Sequence, residues 1–136
     1  MKNKLLWLDD LRNPLTQKWL EDFAIEFNDK RDDVIWVKSF EEFKNWITSN
    51  GLPYMIAFDH DLGEDIAIEK VKNGISKKKA RKEKKTALSG FDAAKWLVEY
   101  CIDNSIKLPL WVVQSANPVG RQNINSLLTN YKEHCE

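Results

Sequence analysis

Tyr54-Met55-Ile56-Ala57-Phe58-Asp59-His60-Asp61 is the stretch on which the fold turns: five apolar residues without a break, then three polar ones. A run that is apolar at every position, rather than at alternate ones, predicts a strand covered on both faces, as in parallel sheets. Three other runs read the same way. Leu5-Leu6-Trp7-Leu8 ends at Asp9-Asp10, Val34-Ile35-Trp36-Val37 at Lys38-Ser39, and Leu110-Trp111-Val112-Val113 at Gln114-Ser115. A helical pattern follows each run. Trp19, Phe23 and Phe27 share one helix face and predict a helix over about 15–27. Ser39-Phe40-Glu41-Glu42 is a capping-box pattern that opens a stripe of Phe40, Phe43 and Ile47, stopped by Gly51 and Pro53. Phe91, Ala94, Leu97, Val98 and Cys101 predict a third helix over about 91–104, and Ile124, Leu127, Leu128 and Tyr131 a fourth.

Strand–helix alternation repeated four times predicts an α/β domain: a parallel sheet with right-handed crossovers and helices on both faces. Such sheets bind ligands beyond the carboxyl ends of their strands, at a topological switch point. The chain places its unusual polar residues there: Asp9-Asp10, Asp59-His60-Asp61 and Gln114-Ser115-Ala116-Asn117. Three strand ends are therefore expected to line one pocket.

Composition narrows the classes. At 136 residues with 43% apolar and 11% aromatic content, residues 1–136 read as one domain with a sizeable core. No apolar run approaches the ~18 residues of a membrane span, and two acids arrive too early for a signal peptide. Cys101 and Cys135 make neither a disulfide framework nor a metal spacing, which points to the cytoplasm, and Cys101 falls on an apolar helix stripe as a core residue. Basic and acidic residues balance at 21 each, so no global field draws the chain to double-stranded DNA. The balance is local nowhere: an insertion at about 64–88 holds nine basic and four acidic residues, densest at Lys77-Lys78-Lys79-Ala80-Arg81-Lys82. It reads as a solvated loop, or as a basic lid over the same end of the sheet.

The strand-end acids carry the chemistry. Asp9, Asp10, Asp59 and Asp61 brought together repel one another unless a cation or protons neutralise them. Oxygen-only ligands suit Mg²⁺, Mn²⁺ or Ca²⁺ rather than zinc. Each Asp taken singly also fits a turn or helix cap. His60, between two carboxylates, suits general acid–base work, or else fills space in a helix layer, because neighbours on an extended chain face opposite ways. Ser115, Asn117, Gly120 and Arg121 form a turn into the last helix that suits an anion: hydroxyl, amide, close backbone approach and a forked cation. Taken alone, that turn also reads as an ordinary cap with a solvent-facing Arg121. His134 and Cys135 have no partner in spacing.

Together these residues carry a resemblance. Trp7-Leu8-Asp9-Asp10 with Arg12 and Pro14, then Phe58-Asp59-His60-Asp61-Leu62-Gly63, then Gln114-Ser115-Ala116-Asn117-Pro118-Val119-Gly120 look like the cyclic-phosphate processing receiver-like family. The family is a compact relative of response-regulator receiver domains. The match covers nearly the whole chain, in order. The resemblance implies a flavodoxin-type, three-layer α/β/α fold with about four parallel strands in the order 2-1-3-4. It also implies hydrolysis or other processing of a cyclic phosphate on a small nucleotide or RNA end, as in RNA repair or a phage protein acting on host signals. On that reading a divalent cation (Mg or Mn) sits on Asp10 and Asp59, supported by Asp9 and Asp61. His60 moves the proton, and Ser115, Asn117, Gly120 and Arg121 hold the phosphate, making Asp59, His60, Asp10 and Ser115 the catalytic set.

Two departures keep other readings open. The family pattern has a His before its Ser-x-Asn element, where this chain has Gln114, which suits a module that binds a cyclic nucleotide without turning it over. Asp59 also resembles a receiver's phospho-acceptor, but receivers carry a Lys at the end of a fifth strand, which this pattern of four strands lacks.

Overall fold

The structure, a computed structural model, describes residues 3–14, 33–62, 73, 74, 76, 88–115 and 117–135. Among the described residues four strands form: β1 (Lys4–Leu8), β2 (Asp33–Val37), β3 (Met55–Phe58) and β4 (Leu110–Val113). Among the same residues there are three helices: α1 (Phe40–Asn50), α2 (Gly90–Asn104) and, after β4, α3 (Pro118–Cys135). The strands pair parallel throughout in the order β2-β1-β3-β4, as the sequence leads one to expect of a receiver-like sheet. The predicted helix over 15–27 and nearly all of the basic insertion lie outside the described residues.

Side-chain alternation divides the sheet into two faces. Leu6, Leu8, Ile56 and Phe58 meet Phe43 and Ile47 of α1, Ala93, Ala94, Leu97 and Cys101 of α2, and Ile124, Leu128 and Tyr131 of α3. Each large side chain buried there contributes about 1.5–3 kcal/mol. Cys101 is thus a core residue, as its position on the stripe suggests. On the other face Leu5, Trp7, Met55 and Ala57 are also buried. The described residues supply the sheet and one helical layer.

Helix ends follow their caps. Ser39 accepts from the Glu42 amide at the start of α1, and Gly51 ends that helix with φ +83°, a conformation that favours glycine. α2 starts one residue earlier than the apolar stripe suggests, at Gly90. Ser89 caps it in a reciprocal box with Asp92, a pairing the stripe alone does not reveal. Gly90 is required there: its N–H donates to His60 O at 2.8 Å, and a Cβ would stand 1.7 Å from Asp59 O. The first turn of α2 is therefore seated against the end of β3, which fixes where Asp59 and His60 go.

Candidate metal and phosphate site

Register sets the site. Leu8 pairs with Phe58, and Phe58 with Val113, so the next residues, Asp9, Asp59 and Gln114, emerge side by side where the strand order reverses. Backbone bonds continue past the strands: Asp59 N to Leu8 O at 2.9 Å, Gln114 N to Phe58 O at 2.9 Å, and Asp9 N to Val37 O at 3.0 Å. A cavity of about 130 Å³ opens there, lined by Asp9, Asp10, Leu11, Arg12, Asp59, Asp61 and Ser115.

Carboxylate oxygens of Asp9, Asp10 and Asp59 lie within 4.8 Å of one another, and all three residues are buried. Oxygens on opposite sides of Mg²⁺ stand about 4 Å apart, and of Ca²⁺ about 5 Å, so this spacing fits one hard divalent cation. A second observation agrees: Asp9 Oδ2 is buried without a hydrogen-bond partner, 3.9 Å from the nearest guanidinium nitrogen of Arg12. Asp9 Oδ1 accepts from the Leu11 and Arg12 amides, both at 2.9 Å, so the turn orients one oxygen and leaves the other to the cavity. Two indoles hold the turn from outside, Trp7 Nε1 donating to Arg12 O (3.0 Å) and Trp36 Nε1 to Asp9 O (2.7 Å).

Burial raises the Asp59 carboxyl from the ordinary 3.8 to about 8, and the charges of Asp9 and Asp10 push it the same way. Arg12 acts in the opposite sense, and Asp61 adds a little to the rise. Asp59 therefore holds a proton at neutral pH when no cation is bound.

The other expected site residues are arranged differently from the sequence reading. Asp61 lines the cavity but stands outside the three-carboxylate group. Its Oδ1 meets His60 Nδ1 at 2.9 Å. His60 is not part of the lining; its ring lies against Gly120, where a Cβ would come 2.3 Å from the imidazole Cγ. Gly120 thus makes room for the His60 ring, and its N–H donates to Asn117 Oδ1 at 3.1 Å. Asn117 caps α3, with its Nδ2 3.5 Å from Asp61 Oδ1. Arg121 is exposed and donates to Ser115 O at 2.7 Å, and it is not part of the cavity lining. Ser115 does line it, buried, its Oγ accepting from the Asn117 amide at 3.1 Å.

The roles of two residues at this end of the sheet were missed. Arg12 lines the cavity; its signal was a cation three residues after Asp9, the reach of a single turn. Gln114 is fully buried, its Nε2 donating to Leu8 O at 3.0 Å and tying β4 to β1. Its position within the Gln-Ser-x-Asn element does not reveal that role. A larger groove of about 550 Å³ lies at the opposite end of the sheet, lined by Cys101, Ile106, Tyr131 and others, and among the described residues no carboxylate lines it.

A family model described as the cyclic-phosphate processing receiver domain matches residues 4–130. No curated protein matches the chain. One solved structure, a yeast Spc42 trimeric coiled-coil segment (amino acids 181–211) fused to another structure, aligns with 16% identity and a TM-score of 0.49. That alignment covers 93% of this chain and 63% of the other, so the chain spans under two thirds of the other's length. Among the described residues no helix is long and apolar enough to cross a membrane.

Proposed function

The chain belongs to the cyclic-phosphate processing receiver domain family, and on that premise we propose that it opens cyclic phosphates on nucleotides or RNA ends as a metal-assisted phosphodiesterase. The observation that carries the reading is the group of three buried carboxylates within 4.8 Å at the switch point, with an Asp9 oxygen that has no hydrogen-bond partner. Asp9, Asp10 and Asp59 would hold Mg²⁺ or Mn²⁺, which when bound lowers the pKa of water and offsets charge on the phosphoryl oxygens. Ser115 presents its hydroxyl to a non-bridging oxygen. Asp61, braced by His60 Nδ1 at 2.9 Å, takes the proton of the attacking water, so His60 acts as a positioning residue. The hydroxide oxygen bonds to phosphorus as the P–O bond to the ribose breaks, the ribose oxygen leaves with the proton returned by Asp61, and the product is a phosphomonoester.

One observation favours a second reading, binding without turnover: among the described residues no imidazole lines the cavity. The two readings part on one experiment. Purified protein is incubated with 2′,3′-cyclic nucleotides, cyclic-phosphate-ended RNA and cyclic dinucleotides, with Mg²⁺, Mn²⁺ or chelator, and the ligand is recovered. Linear monoester that requires metal, and is lost in Asp59→Asn, supports the enzyme. Intact ligand at stoichiometric binding supports the module. Full turnover in chelator or in Asp59→Asn refutes the proposal.

A further inference from the structure

We infer that Arg12 is the group that receives the phosphoryl anion in this site, in the place the sequence assigns to Arg121. The inference rests on the proposed cyclic-phosphate chemistry and names the cation it needs. Three carboxylates against one divalent cation leave a net negative charge, and Asp61 in the lining adds to it, which repels a phosphodiester monoanion; one guanidinium offsets a unit of that charge. The Arg12 side chain lines the same 130 Å³ cavity as Asp9, Asp10, Asp59 and Ser115.

Its placement is built from three sides. The Arg12 amide donates to Asp9 Oδ1 at 2.9 Å, and its carbonyl accepts from Trp7 Nε1 at 3.0 Å. Its Nη1 donates to Gln114 O. The guanidinium is thus stretched from the loop after β1 to the end of β4, across the end of β3 that lies between them. A fork held in that way meets a planar pair of phosphoryl oxygens with little ordering left to do. It also stands 3.9 Å from Asp9 Oδ2, close enough to feel the carboxylates and too far to be consumed by a hydrogen bond to that oxygen. Arg121, by contrast, donates to Ser115 O and does not line the cavity.

Calorimetric titration of the full chain tests this with two probes: Mg²⁺ alone, and inorganic phosphate at saturating Mg²⁺. In Arg12→Ala phosphate affinity should fall about ten-fold or more, as expected for losing a charged hydrogen bond. Mg²⁺ affinity should hold or tighten, because a positive neighbour of the carboxylates is gone. Arg121→Ala should leave phosphate binding within about two-fold of wild type. Arg12→Gln, which keeps a donor toward Gln114 O, should repeat the result and guards against a folding defect in the alanine variant.

Phosphate binding unchanged in Arg12→Ala would overturn the assignment. So would a loss carried by Arg121→Ala, a parallel loss of Mg²⁺ in both Arg12 variants, or a wild type that binds no phosphate with Mg²⁺ present. Failure of the hydrolase reading shows separately, as intact cyclic phosphate recovered from wild-type protein that still binds inorganic phosphate through Arg12.

Discussion

Asp59 concentrates the tension of the site in one side chain. Its carboxyl is raised from 3.8 to about 8, chiefly by burial and then by Asp9 and Asp10, so the folded chain keeps a proton that the unfolded chain releases. Stability of the ion-free protein therefore falls as pH climbs from about 4 to about 8, and levels off above that. Urea unfolding at about pH 5 and pH 8 should show the fall in wild type and a flatter profile in Asp59→Asn, which at the higher pH should be the more stable protein. A cation needs the ionised form, so its affinity should rise with pH over the same window. A wild-type profile flat across this range would refute the assignment. The Asp run was plain in the sequence because acids at the end of an apolar strand are conspicuous. The roles of Gln114 and Arg12 were not, because each depends on a residue about a hundred positions away that only the sheet brings near.

At the scale of elements, two glycines set how closely the helices approach the strand ends. Gly90 faces backbone: a Cβ would lie 1.7 Å from Asp59 O, and a strand end cannot move without moving the acids. Gly120 faces a side chain, the His60 ring at 2.3 Å, which can turn away. Gly90→Ala should therefore cost more than ~3 kcal/mol, above the usual overpacking range, and weaken cation binding. Gly120→Ala should cost about 1–2 kcal/mol and leave the cation in place. Denaturant melts with a Mg²⁺ titration check both, and equal costs would contradict the packing argument. Helix existence was legible from apolar spacing and from the Ser39 cap. The close seat of Gly90 was not, since a glycine before a stripe looks like a loop residue until its neighbour across the sheet is known.

For the molecule as a whole, the parallel sheet and the end of it that carries the site follow from one pattern, four apolar runs with polar ends, while the strand order came from the family resemblance. The order β2-β1-β3-β4 puts the ends of β1 and β3 next to each other, and with them Asp9 and Asp59. What the pattern could not resolve is which polar groups face the cavity and which serve the backbone. Ser115 and Arg12 face it, while Asn117, Gly120 and Arg121 cap or pack the start of α3. Helix capping and anion binding draw on the same residue types, so spacing alone does not separate them.

The account stands on a single divalent cation shared by Asp9, Asp10 and Asp59. Mn²⁺ titration followed by electron paramagnetic resonance reads this directly. The account predicts one strong site per chain in wild type, weakened about ten-fold or more in Asp59→Asn at a pH near 8. Absence of that site in wild type, or equal binding by Asp59→Asn, would contradict it.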